Sequence, residues 1–147
     1  MQTTLIMCIG NRDGGDDAIG PYIADRMKNE TKGDLILDCG TTPENYTAII
    51  KQKKPHTLIL IDAAEMNQPA GTIRTIPKEK IGTMHISTHG IPLSLLMTYL
   101  EKEVHNIILI GIQPHHISGA MSNSVKKSAD KLLELLKKHR YETIPSL

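Results

Sequence analysis

Phenylalanine and tryptophan are absent from the 147 residues, and tyrosine occurs only 4 times. The core must therefore be built from Ile, Leu, Met and Ala. Stacking of bases on aromatic rings, the grip used by single-strand binders, is largely excluded. An excess of charge is missing too. Lys plus Arg number 17 and Asp plus Glu 16, leaving +1 at pH 7, which argues against a nucleic-acid binder. The two cysteines, Cys8 and Cys39, cannot make a disulfide framework. Each lies in or beside an apolar run, where a free thiol behaves as a small hydrophobe, and a reduced, cytoplasmic setting is expected. No apolar run approaches the roughly 20 residues of a membrane span. Met1-Gln2-Thr3-Thr4 carries no positive region of a secretory signal, so no membrane insertion is expected. Three catalytic or binding signatures are also wanting. The Gly10–Asp17 segment lacks the Lys-Ser or Lys-Thr of a phosphate loop, and its aspartates would repel phosphate. No G-x-G-x-x-G follows the first apolar run, and no G-x-S-x-G elbow exists.

What is present fits one domain, residues 1–147. Hydrophobic residues at 39% and charged residues at 22% describe an ordinary globular chain rather than a disordered one. Short apolar runs alternate with helix-period segments, which predicts an α/β fold with a mainly parallel sheet wrapped by helices. The unbroken runs Leu5–Ile9, Thr57–Ile61 and Ile107–Ile112 read as strands buried on both faces. Asp34–Asp38 is a further short strand and Gly71–Ile76 an edge strand, while Thr83–Thr88 is ambiguous. Helices are predicted from Asp17 to about Glu30, from Thr42-Pro43-Glu44 to the Lys51–Lys54 run, over Pro92–Glu101, and from a Ser122 or Ser124 cap through Val125, Ala129, Leu132, Leu133 and Leu136.

In open sheets of this kind, ligands sit outside the carboxyl ends of the strands. That rule selects Asn11–Asp17, Asp38–Thr41, Asp62 and Gln113–His116, with His89 near the same rim. Asp17, Asp62 and His89 would offer two hard oxygens and one imidazole nitrogen, a set with open positions that suits a divalent transition metal such as nickel or zinc. Each has a plainer reading. Asp17 can be a helix N-cap, and His89 a solvated or backbone-bonded histidine. Asp62, ending an apolar strand, is harder to explain without a role, because a buried carboxylate is costly. His85, His115 and His116 compete with His89, and spacing does not choose among them. The methionines, Met27 and Met97 included, read as core filler.

Five collinear motifs resemble the hydrogenase maturation endopeptidases. Gly10-Asn11 through Asp16-Asp17-Ala18-Ile19-Gly20-Pro21 resembles the family's opening G-N-x4-D-[DE]-x-x-G. Asp38-Cys39-Gly40-Thr41 is similar to its D-x-G-T, and Ile61-Asp62-Ala63-Ala64 to its third-strand aspartate. Ser87–Leu93 resembles its histidine loop, and Gly111-Ile112-Gln113-Pro114 its last-strand motif. Thr42-Pro43-Glu44-Asn45 and Gly111–Pro114 lean towards the branch serving group 4, formate-hydrogenlyase-type hydrogenases.

The resemblance implies a three-layer sandwich, with a twisted, mostly parallel sheet flanked by helices on both faces. It implies a peptidase that removes the C-terminal extension of a nickel–iron hydrogenase large-subunit precursor after nickel insertion. Asp17, Asp62 and His89 would then be the catalytic and metal-engaging residues, and Asp38, Gly40 and Thr41 a substrate-binding segment. The nickel would arrive with the substrate, although zinc or cadmium can occupy such a site. A monomer is expected. The family often has Glu where this chain has Asp17, and Arg12-Asp13-Gly14-Gly15 is unusually polar. The rivals are a phosphoacceptor receiver-like domain using Asp16, Asp17 and Asp62 with Mg²⁺, and a self-sufficient zinc hydrolase.

Overall fold

The apolar runs pair side by side as the alternation with helices predicts. A computed structural model describes residues 3–28, 33–82 and 92–147, together with the backbone of 85–86. Strands β1 (Thr4–Ile9), β2 (Leu35–Gly40), β3 (Thr57–Glu65) and β6 (Asn106–Ile112) are mutually parallel in the order β2-β1-β3-β6. Strand β4 (Ile73–Thr75) closes that path antiparallel to β6, and the two-residue β5 (His85–Ile86) pairs antiparallel with the end of β3. The interleaved helices are α1 (Ile19–Met27), α2 (Thr47–Lys53), the single turn α3 (Lys78–Ile81), α4 (Leu93–Leu100) and α5 (Asn123–Lys137).

Alternation along the strands divides the core into two layers. Ile6, Cys8, Ile59, Ile61 and Ile110 pack with Ile19 and Ile23 of α1 and with Val125, Ala129 and Leu132 of α5. Leu5, Met7, Leu58, Leu60 and Leu109 pack on the other face with Ile50 of α2 and with Leu93, Leu96 and Leu100 of α4. This is the expected three-layer sandwich. Each fully buried Leu or Ile contributes about 1.5–3 kcal/mol, which is how a core without Phe or Trp suffices.

Several boundaries differ from the sequence reading. The segment after β1 does not enter an α-helix at Asp17. It makes a 3₁₀ turn over Gly15–Ala18, and α1 starts at Ile19. The second helical stretch likewise begins as a 3₁₀ turn, Pro43–Tyr46, and Thr42 occupies its cap position without a side-chain bond. Lys54 ends α2 in the left-handed region, φ 44°, with its N–H on the Ile50 carbonyl. β3 runs three residues past Asp62 because its far end pairs with β6 and β5. Its last pair with β1 is Cys8 with Ile61, so Asp62 is the first β3 residue beyond that partner. The predicted helix end near Glu30 lies outside the described residues.

Candidate active site

The chain leaves β1 towards β2 on one side of the sheet, while β3 lies on the other. The carboxyl ends of β1 and β3 therefore flank the point where strand order reverses, the usual place for a crevice in an open α/β sheet. Asp17 reaches this point on the turn after β1, and that turn packs against β3, which carries Asp62. Both side chains are withdrawn from solvent, Asp17 at 4% exposure and Asp62 at 1%. The Asp17 carboxylate accepts the Asn11 N–H at 3.1 Å. It does not cap α1: Ala18 holds that position, with no side-chain bond. Gly10 makes the arrangement sterically feasible, since a Cβ there would stand 2.0 Å from the Asp17 carbonyl oxygen.

Asp62 has the same strand parity as Leu58, Leu60 and Ala64, which pack in the α2/α4 layer. α4 is the helix that follows His89 in the sequence. His89 itself lies outside the described residues, as do the side chain of His85 and all of residues 87–91. Among the described residues, no three His, Cys, Asp or Glu side chains are grouped so as to hold a metal ion. The described residues thus bring two of the three expected ligands to one end of the sheet.

Asp16, beside Asp17, has an entirely different environment. It is 0% exposed. Its Oδ1 accepts the Ser122 N–H at 2.6 Å. Its Oδ2 accepts the Ser122 hydroxyl and the His115 N–H, each at 2.7 Å, and the His116 N–H at 3.1 Å. Burial pushes its pKa up, but the bonds from Ser122, His115 and His116 outweigh it and hold the carboxyl below its usual range. Ser122, at the N-cap of α5, makes no cap bond with its hydroxyl. A receiver-like ion site would need these Asp16 oxygens. The His116 ring is also engaged within its own loop, with Nε2 2.7 Å from the Ala120 carbonyl.

Asp38, Gly40 and Thr41 do come together. With Asn11, Arg12 and Tyr46 they line a cleft of about 420 Å³ beside the β1 rim. Its lip is charged. Arg12 takes Asp25 in a two-pronged ion pair at 2.8 and 2.9 Å and reaches Asp38 at 2.5 Å. These bonds, Asp25's foremost, raise the guanidinium pKa further, and Arg12 holds the Asp25 carboxyl below its usual range. No sequence signal marked Asp25 on α1 as part of this lip. Gln113 was marked by the strand-end rule and by its motif. It proves to be a buried fastener, its Oε1 accepting the Met66 and Gln68 N–H groups at 2.7 and 3.3 Å and its amide donating to Glu65 at 2.7 Å. Neither thiol is poised as a nucleophile. Burial pushes Cys39 up to about 12, with Asp38 adding to the effect, and burial raises Cys8 well above the usual thiol range.

Comparisons with known proteins agree with this layout. The family model for hydrogenase maturation protease matches residues 21–139. The hydrogenase 3 maturation protease of Escherichia coli K12 is 35% identical over 114 residues, 76% of this chain and 73% of that protein. The solution structure of the endopeptidase HycI from Escherichia coli superposes with a TM-score of 0.90 at 27% identity, covering 99% of this chain and 97% of that one. The crystal structure of the [NiFe] hydrogenase maturation protease HycI from Thermococcus kodakarensis gives 0.84 at 33% identity, over 95% and 92%. A sheet with buried acids at its reversal point, its thiols silenced, and sequence and fold agreement across most of the chain lead to one conclusion: the protein belongs to the hydrogenase maturation proteases and is a peptidase.

Proposed function

We propose that this peptidase removes the C-terminal extension from the large-subunit precursor of a nickel–iron hydrogenase once nickel is in place, with Asp17, Asp62 and His89 engaging the substrate's nickel. The observation that carries this reading is the burial of two carboxylates, Asp17 and Asp62, at the strand-order reversal, the usual place for a crevice in an open α/β sheet. Keeping buried acids without a task is costly. Two oxygens and an imidazole suit a divalent transition ion while leaving positions open on it.

Hydrolysis then needs no covalent intermediate. With both thiols protonated, the simplest nucleophile is water, whose oxygen adds to the scissile carbonyl carbon. The C–N bond breaks, and the leaving amine takes the proton that the water gives up. Asp38, Gly40 and Thr41 would seat the peptide in the cleft, with Arg12 and Asp38 at its lip. The protein acts as a cytoplasmic monomer on this reading. Among the described residues no helix is long and apolar enough to cross a membrane.

The test mixes the purified protein with nickel-loaded and nickel-free precursor and reads the product C-terminus by mass spectrometry. Cleavage of the loaded precursor alone is expected. Equal cleavage of both, or activity that follows zinc bound to the isolated protein, would overturn the nickel requirement in favour of a self-sufficient zinc hydrolase.

A further inference from the structure

We infer that Asp16 is a positioning residue, whose carboxylate staples the turn carrying Asp17 to the loop between β6 and α5 and so fixes where Asp17 points. This rests on the proposed role of Asp17. The turn is only four residues, Gly15–Ala18, and has little apolar surface of its own to anchor it. A 3₁₀ turn so short has weak internal bonding. Besides its packing on β3, its polar anchorage comes from the facing loop. Asp16 takes bonds from the Ser122 N–H and hydroxyl and from the His115 and His116 N–H groups. Its own N–H returns one to the His116 carbonyl at 2.9 Å. Gly15, at φ +61°, seals the junction: a Cβ there would lie 2.7 Å from the Ser118 N and O.

The hydroxyl of Ser122 shows the direction of this preference. It stands where a serine ordinarily caps a helix, yet it bonds to Asp16 and leaves α5 without a side-chain cap. One residue further along the turn, Asp17 meets the Asn11 N–H. The staple and the acting carboxylate are thus adjacent on one small rigid unit. Loss of the staple would let the unit shift, and a misplacement of about 1 Å costs about 100-fold in rate. The Arg12 pairs with Asp25 and Asp38 at the cleft involve no atom of Asp16.

The test compares Asp16→Asn and Ser122→Ala with the unmodified enzyme on the nickel-loaded precursor, well below each variant's melting temperature. Amide hydrogen exchange is followed in parallel. Asp16→Asn is expected to lower kcat by about 100-fold with KM within about two-fold. Exchange at the Asn11 N–H, which reports its bond to Asp17, should speed up while the β3 amides keep their protection. Ser122→Ala, which keeps three of the four bonds, should show the same pattern more weakly, and it decides the matter if Asp16→Asn does not fold. Unchanged kcat and unchanged Asn11 exchange, with Asp17→Ala inactive, would overturn the positioning role alone. An Asp17→Ala enzyme that still cleaves would remove the role of Asp17 and this inference with it.

Discussion

The strands of the central sheet bury different chemistry at their two ends. Among the described residues, the buried polar residues at the amino ends are Thr4 and Thr57, and the shielded Asp34 before β2 meets His139 at 3.2 Å. At the carboxyl ends, or on the loops that leave them, they are Asp16, Asp17, Asp62 and Gln113. A buried hydroxyl needs one partner, whereas a buried carboxylate demands several or a cation. The carboxyl-end acids do not share one solution. Asp16 is bound by the facing loop, while Asp17 and Asp62 flank the reversal point. Among the described residues, the carboxyl ends thus gather three buried acids and the amino ends one shielded acid, Asp34.

The sharpest way to break that contrast is Asp62→Ala. We expect processing of the nickel-loaded precursor to fall by roughly 10³-fold, equivalent to about 4 kcal/mol of transition-state stabilisation, with an unchanged circular dichroism spectrum. Full activity would dissolve the distinction between the ends. Next comes stability. Gln113→Leu strands the Met66 and Gln68 N–H groups and should cost about 2–4 kcal/mol in urea unfolding, against about 1 kcal/mol for Thr57→Val at the opposite end. Equal losses would mean that the two ends are fastened alike. The smallest effect is acid sensitivity. The Asp16 carboxyl titrates lower folded than unfolded, so its contribution is complete above the ordinary carboxylate pKa near 4 and is lost as pH falls through the folded value. Urea midpoints measured down the acid range should fall over that window, and Asp16→Asn should lack this part of the slope.

The sequence made the sheet legible because its strands are continuous apolar runs, and the α5 stripe of Val125, Ala129, Leu132, Leu133 and Leu136 is buried as its period requires. Helix starts were less legible. A capping residue announces itself by type, but Thr42 makes no side-chain cap and Ser122 gives its hydroxyl to Asp16. That competition comes from a partner over a hundred residues away and leaves no local trace. The rim acids were found from a general rule about strand ends. The choice of Asp17 over Asp16 as a site residue came from collinear motifs, and the loop bonds of Asp16 had no trace in the sequence. Asp25 could not be found, because an acid on an exposed helix face looks the same whether or not an arginine such as Arg12 bends over to meet it. His89 was selected by the same reasoning, and its position lies outside the described residues.

The far border of the sheet has a consequence for a protein that handles loose polypeptide. Thr75 of β4 donates to the Pro145 carbonyl at 2.9 Å and accepts the Leu147 N–H at 2.8 Å, while Lys80 reaches the Leu147 carbonyl. Residues 145–147 thus lie along β4 like an extra thread, and a bare strand margin invites any extended chain to zip onto it. With residues 145–147 along it, that margin is already taken, and an extended chain finds no open edge at Thr75 to zip onto.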